Sequence, residues 1–451
     1  MTNPAKCSII FAKSENNMED KRPSWSSKYA FILAAIGSAV GLGNIWRFPY
    51  IMGQNGGAVF LVVYLGLILT ICFVPLMAEL CFGKITRKES VGSYEQVSPK
   101  FKIFGWSNSL TALIISSFYF VVGGWIINYI YKSFINFRIY DHAQYFGIFT
   151  QNSVATCFLT LLFLFICIFF TARGVNKGIE LANKIMMPVF AVILIGLVVV
   201  SLNLPNANLG LEYMFKPDFS KINGQMFLAA LGQALFTLSI GMGALLTYGS
   251  YIKEDKNITQ SAYTIIFSDT AFALLAGIMI FPAVFSFGLE PNSGAGLVFV
   301  TLPKIFSQIP YGNVVSAAFF VLLFVAALTS GISILEVPTA TFIERFKMSR
   351  IKASILLFCL IAAIAIPATL SFGLLENFHI CGKSFFDFLD FTSSNILLPL
   401  NTFFLCLVAG WGLKMNGRMF LQNKFLFSLF NVGLKFVVPI ILLCLFIVGL
   451  K

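Results

Sequence analysis

The chain has 451 residues, 58% of them hydrophobic and 11% charged, with a mean hydropathy of +0.86 and a formal net charge of +12. So much apolar surface excludes a soluble globular domain. Apolar runs of about 20 residues, without the polar alternation of outer-membrane strands, point to an all-α integral membrane protein.

Residues 1–24 are polar and charged, and their short apolar run, Ile9-Ile10-Phe11-Ala12, is too brief for a signal-peptide core. They read as a cytoplasmic tail, with Met18 as an alternative start. Apolar segments follow at 29–52, 58–82, 107–131, 153–171, 185–203, 226–251, 262–288, 312–342, 352–372, 386–412 and 425–449, which predicts eleven transmembrane helices. With the N-terminus inside, 22 of the 31 Lys and Arg fall in cytoplasmic segments and seven in the outer loops and C-terminus. That bias obeys the positive-inside rule, explains the basic balance without nucleic acid and puts the C-terminus outside. The nine cysteines lie mostly inside apolar segments with no metal-ligand spacing and read as small hydrophobes.

The first segment carries Gly37-Ser38-Ala39-Val40-Gly41-Leu42-Gly43-Asn44-Ile45-Trp46-Arg47-Phe48-Pro49. Each Gly costs a helix interior about 1 kcal/mol relative to Ala, and a charge near mid-membrane costs roughly 2.5–3.5 kcal/mol on insertion scales. An interrupted helix is tolerated at that depth only where the freed backbone faces protein, water or a ligand. The stretch therefore reads as a broken helix that binds something. Val40-Gly41-Leu42-Gly43 is echoed by Ile240-Gly241-Met242-Gly243 in the sixth segment, the first of the second group of five. Gly-interrupted segments at matching positions of two halves predict a five-plus-five inverted repeat with the site at the breaks. The expected organisation is a tail (1–24), a first repeat (25–203), an extracellular loop (204–224), a second repeat (225–412), and a last helix with an extracellular C-terminus (413–451). Loops 204–224 and 289–311 are long enough to act as lids over an outer vestibule.

With Asn55-Gly56-Gly57, Pro75-Leu76-Met77, Glu79, Tyr119, Trp125, Gly232 to Ser239, Ala326 to Pro338 and Asp390, these motifs resemble the neurotransmitter:sodium symporters over about residues 22–449. Eleven helices rather than twelve resembles the bacterial branch and implies the bacterial cytoplasmic membrane. The resemblance implies sodium-coupled uptake of a small molecule by alternating access, with no organic cofactor. An enzyme is not expected, because His142 and His379 fall in outer loops and no nucleophile and base cluster. The alternatives are a proton-coupled or sodium-independent amino-acid carrier of the same fold, and a sensor that binds without transporting.

The N–H groups of Leu42 and Gly43, where the first helix restarts, suit a carboxylate, and the Tyr119 hydroxyl can donate to the same group. By resemblance, carbonyls of Ala39, Phe236 and Thr237, with Ser239 nearby, hold an amino group. Ser38, Val121, Phe236, Met242, Ser330, Ser333 and Ile334 line the side-chain pocket. Monoamine-carrying members place an Asp where this chain has Gly41, so its substrate should bring its own carboxylate. A hydrophobic or aromatic L-amino acid is expected, with Met242, which replaces a Phe of the leucine-transporting relative, leaving adaptable space.

The resemblance also implies two sodium sites built from oxygen, as a hard cation requires. The first comprises the Ala39 carbonyl, the Asn44 amide oxygen, the Thr237 carbonyl and hydroxyl, Asp269 and the substrate carboxylate. The second comprises the Gly37, Val40 and Ala326 carbonyls with the Thr329 and Ser330 hydroxyls. Asp269 stands where much of the family has Asn, and Ala273 where chloride-dependent members have Ser, which implies chloride independence. Arg47 and Asp390 resemble an outer gate, and Arg22 with Trp25 an inner latch. The acidic latch partner expected near the end of the eighth helix is replaced by Arg345, with Glu344 just before it. Gly178 and Pro188 resemble the spacing at which some relatives unwind the start of the fifth helix, and Glu79 is expected to satisfy loosened backbone near the breaks.

Overall fold

A computed structural model describes residues 22–135, 141–252, 257–289, 296–413, 415 and 424–449. Most of the expected tail, residues 1–21 with Met18, and the terminal Lys451 lie outside the described residues. The first expected segment is two pieces, α1 (Lys28–Ala39) and α2 (Gly43–Gln54), bent by 43°. The Ser27 side chain caps α1 by accepting from the Ala30 N–H at 3.1 Å. The helix ends where Val40 turns extended, at φ −77° and ψ 101°. α2 opens with a wide turn over Gly43–Arg47 before the regular helix Phe48–Gln54.

Next come α3 (Ala58–Thr86), α4 (Pro99–Phe134), α5 (Ser153–Ala172) and α6 (Val175–Leu202). The second interrupted segment is α7 (Gly224–Thr237) and α8 (Ala244–Gly249). Then follow α9 (Ile258–Ser286), α10 (Gly312–Phe346), α11 (Arg350–Leu370), α12 (Phe385–Gly412) and α13 (Leu426–Cys444). Among the described residues nine helices are long and apolar enough to cross a membrane, or ten with the bent pair as one. Neither α7 nor α8 reaches spanning length alone, because the chain leaves the helix between Thr237 and Ala244. Ser239, Gly241 and Gly243 take positive φ there, at 55°, 84° and 79°. Glycine adopts that region without strain, whereas Ser239 is an uncommon occupant.

α4 and α10 run through the middle of the molecule, with 78% and 83% of their apolar windows buried, against 28% for α13 at the periphery. A short hairpin, β1 (His379–Ile380) with β2 (Lys383–Ser384), turns through Cys381 and Gly382 at positive φ in the loop between α11 and α12 and is a minor addition to the helical fold. Both long loops hold packed helices. Ala207–Phe215 lies against α9, with Gly210 set on the Phe281 and Pro282 backbone. Leu297–Phe306 buries Phe299 against Trp125, Tyr129 and Phe146.

Candidate functional site

The two breaks face each other. The Ser239 hydroxyl, carried by the positive-φ turn, donates to the Ser38 carbonyl at 2.9 Å. Ser38 donates to Ser333 at 2.8 Å, and Ser333 to the Ser330 carbonyl at 2.8 Å. Other groups hold the broken backbone open. Gln233 donates to the Gly43 carbonyl and Asn401 to the Gly241 carbonyl, each at 2.8 Å, while Glu79 accepts from the Gly243 N–H at 3.1 Å. These partners satisfy main-chain groups that a continuous helix would have paired internally.

Between the breaks lies a narrow, tightly closed-down cavity. Eleven of the thirteen residues expected around the amino acid line it: Ser38, Ala39, Leu42, Gly43, Tyr119, Phe236, Thr237, Ser239, Met242, Ser330 and Ile334. Val121 and Ser333 are buried but off the cavity wall. Val121 sits two residues past Tyr119, about 200° around the helix, and so points away. The residue on the Tyr119 face is Ile115, one turn earlier, which sequence reasoning missed although the helical repeat from Tyr119 could have found it. Ser333 stands behind Ser38 as its hydrogen-bond acceptor. Gly41 lines the cavity too, and the Tyr119 hydroxyl is buried without a hydrogen-bond partner.

Asn44, Thr237 and Asp269 converge. Asn44 Nδ2 donates to Asp269 Oδ1 at 2.8 Å, and the Thr237 hydroxyl lies 3.0 Å from the same oxygen and 3.1 Å from Asn44 Oδ1. Asn44 Oδ1 also accepts the Gly41 N–H at 3.1 Å. Asp269 is fully buried, and its Oδ2 has no hydrogen-bond partner. A buried carboxylate with an unsatisfied oxygen beside amide and hydroxyl oxygens has the chemistry to hold a small hard cation. In the second set, the Ser330 hydroxyl is 3.2 Å from the Gly37 carbonyl and 3.5 Å from that of Val40. Thr329 donates to the Val325 and Ala326 carbonyls, each at 3.1 Å, bonds that do not use its oxygen lone pairs.

Among the described residues Arg47 and Asp390 form no ion pair. The Arg47 guanidinium lies 4.5 Å over the Phe236 ring, and Asp390 accepts from the Ser394 hydroxyl at 2.9 Å. Before α1, Arg22 pairs with Glu344, the residue before Arg345, and contacts the Ser250 hydroxyl at 2.7 Å. Trp25 is buried against Tyr248 and Tyr251, its indole N–H on the Tyr248 carbonyl at 3.0 Å. Arg345 instead reaches Glu89 at 2.8 Å and Glu95 at 2.5 Å. That guanidinium holds the exposed Glu95 carboxyl below the usual carboxylate range. α6 begins with a wide turn over Val175–Glu180 that contains Gly178, and Pro188 lies within the helix.

A model of the sodium:neurotransmitter symporter family matches residues 22–146 and 146–451. The chain is 37% identical over 442 residues to the uncharacterized sodium-dependent transporter YhdH of Bacillus subtilis, covering 95% of this chain and 98% of that one. An uncharacterized sodium-dependent transporter of Haemophilus influenzae is 37% identical over 452 residues, with the same shares covered. Among solved structures, the crystal structure of MhsT in complex with L-phenylalanine is similar at a TM-score of 0.89 and 43% identity, covering 95% of this chain and 100% of that chain.

Proposed function

We propose, since the chain belongs to the sodium:neurotransmitter symporter family, that this sodium-dependent membrane symporter takes up a hydrophobic or aromatic L-amino acid without needing chloride. The observation that carries the reading is the cavity between the two breaks, where Tyr119 and the start of α2 meet and Gly41 leaves no room for an acidic side chain. A substrate entering there brings its own carboxylate. Its amino group faces the carbonyls at the ends of α1 and α7, and Ile115, Met242 and Ile334 offer apolar surface to its side chain. MhsT in complex with L-phenylalanine supports the aromatic end of this range.

Two sodium ions travel with the substrate. One joins Asn44, Thr237 and Asp269 to the substrate carboxylate, and the other ties α1 to α10 through the Gly37, Val40, Ala326, Thr329 and Ser330 oxygens. Asp269 supplies the negative charge that chloride supplies elsewhere. The Arg22–Glu344 latch closes the inner side while Arg47 and Asp390 flank the outer path, and transport alternates access between them. The protein sits in the cell membrane with its N-terminus inside. The test is uptake of labelled L-phenylalanine into proteoliposomes under an imposed sodium gradient, with the twenty amino acids as competitors and gluconate in place of chloride. Accumulation driven by sodium, unaffected by gluconate and competed best by large apolar amino acids, is expected. A proton-driven signal, binding without accumulation, or collapse in gluconate would overturn it.

A further inference from the structure

Asn183 lies one turn into the regular part of α6, completely buried. Its Nδ2 donates to the Ile179 carbonyl at 2.8 Å. That bond fixes the amide's orientation, because the reverse would set two oxygens against each other. Oδ1 is thereby turned to the other side, where it has no hydrogen-bond partner. A buried amide oxygen without a donor is costly, of order 1–3 kcal/mol, and calls for a partner.

Its surroundings identify that partner. Oδ1 occupies the space that any side chain on Gly37 would fill, and the Thr329 β-carbon borders the same point at 3.3 Å. α1, α6 and α10 meet there, beside the Gly37 and Thr329 oxygens proposed for the second sodium site. The Gly37 carbonyl is within 3.2 Å of the Ser330 hydroxyl, and the Thr329 hydroxyl directs its proton at the Val325 and Ala326 carbonyls. Glycine at 37 is what admits a third helix to this junction.

We infer that Asn183 Oδ1 is a further oxygen ligand of the second sodium site, supplied by α6 to a cation otherwise held between α1 and α10. The inference rests on the sodium-symport reading above. It raises the oxygen set from five to six, and it ties ion occupancy to the position of α6. The start of that helix is bound to the inner latch: Glu180 accepts the Ser26 N–H at 3.1 Å, and Asn176 donates to the Ser24 carbonyl at 3.0 Å. A cation gripping Asn183 therefore also braces the segment that carries Trp25.

The test is a sodium titration of labelled L-phenylalanine binding to the purified full-length protein at pH 8, with choline keeping ionic strength constant. Sodium-independent binding by the wild-type protein would sink the symport reading itself, whatever Asn183 does. Given wild-type dependence, Asn183→Ala is expected to raise the half-saturating sodium concentration about tenfold, with occupancy recovered at high sodium. Asn183→Asp, which keeps the oxygen and adds a charge, is expected to bring half-saturation below the wild-type value. An Ala variant whose titration superimposes on the wild type overturns the inference, as does an Asp variant impaired as much as Ala. Should the Ala variant fail to fold, the direction of the Asp shift alone decides, lower supporting the ligand and unchanged or higher refuting it.

Discussion

The Ser330 hydroxyl stands where a side chain on Gly41 would have to go, so these two residues on α1's break and α10 exclude any substituent at the cavity wall. Gly41 is not at a positive φ, so space rather than backbone strain forbids the substitution. Gly41→Ala must push Ser330 aside, and Ser330 is also the hydroxyl facing the Gly37 and Val40 carbonyls. Overpacking of this kind costs about 1–3 kcal/mol, or roughly five- to 150-fold in affinity. Equilibrium binding of L-phenylalanine should weaken by that amount and the sodium requirement should rise with it. Wild-type binding by Gly41→Ala would show that the cavity is not where the amino acid sits.

The unsatisfied Asp269 oxygen leads to a second expectation. Asn44 and Thr237 already hydrogen-bond Oδ1, which leaves Oδ2 to the proposed cation, so removing either charge or amide removes a proposed ligand. Asn44→Ala should raise half-saturating sodium about tenfold or more. Asp269→Asn should do the same, and chloride but not gluconate should restore part of its transport. Sodium titrations of binding in the two anions check both.

Much of this arrangement is legible in the chain because it is costly. Three glycines, an amide and an arginine inside an apolar segment have no place in a continuous membrane helix, so Gly37 to Pro49 declares its break. Gly241 and Gly243 declare the second by echoing Gly41 and Gly43, and both take positive φ there. Ser239 does not, since nothing marks a serine for a left-handed turn before its hydroxyl is seen on the Ser38 carbonyl. Residues that hold the breaks from other helices are equally silent: Gln233 and Asn401 reach them through helix packing that no local pattern encodes. Val121 and Ile115 differ only in which turn of α4 faces inward, a phase that Tyr119 alone could have set. The latch partner is a one-residue matter, Glu344 facing Arg22 while Arg345 turns to Glu89 and Glu95.

Outside the candidate spanning helices, His142 is expected to make stability depend on pH. It starts the helix His142–Gln151, whose Phe146 stacks on Phe299. Burial, opposed by Asp141 and aided by Lys304, holds the imidazole below its ordinary value of 6.5. Because the folded value is the lower one, the unfolded chain binds the proton first. Stability is therefore complete above the ordinary value, falls as pH drops from there to the folded value, and levels off beneath it. Melting temperatures of the detergent-solubilised protein at pH 7.5 and pH 5 should show the loss, and His142→Phe should reduce it. An equal loss in His142→Phe would assign the acid sensitivity to other groups.

The inner latch makes the most direct claim about the transport cycle. Arg22 is nearly buried, at 6% side-chain exposure, whereas Glu344 is 35% exposed, so their pair lies at the edge of the packed protein. Solvent screening limits such a pair to about 1 kcal/mol, which is enough to change the ratio of inner-closed to inner-open molecules roughly fivefold. Arg22→Ala and Glu344→Ala should each speed hydrogen exchange in residues 22–30 and 244–252, where Trp25 packs on Tyr248 and Tyr251. If the pair is the latch, the double variant should be little worse than the worse single one, because the second substitution removes a partner already lost. Strictly additive effects would mean that Arg22 works through Ser250 and the Tyr251 ring rather than through Glu344. Sodium should slow exchange in the wild type and do so less in either single variant, since an ion between α1 and α10 favours the same closed side that the latch holds.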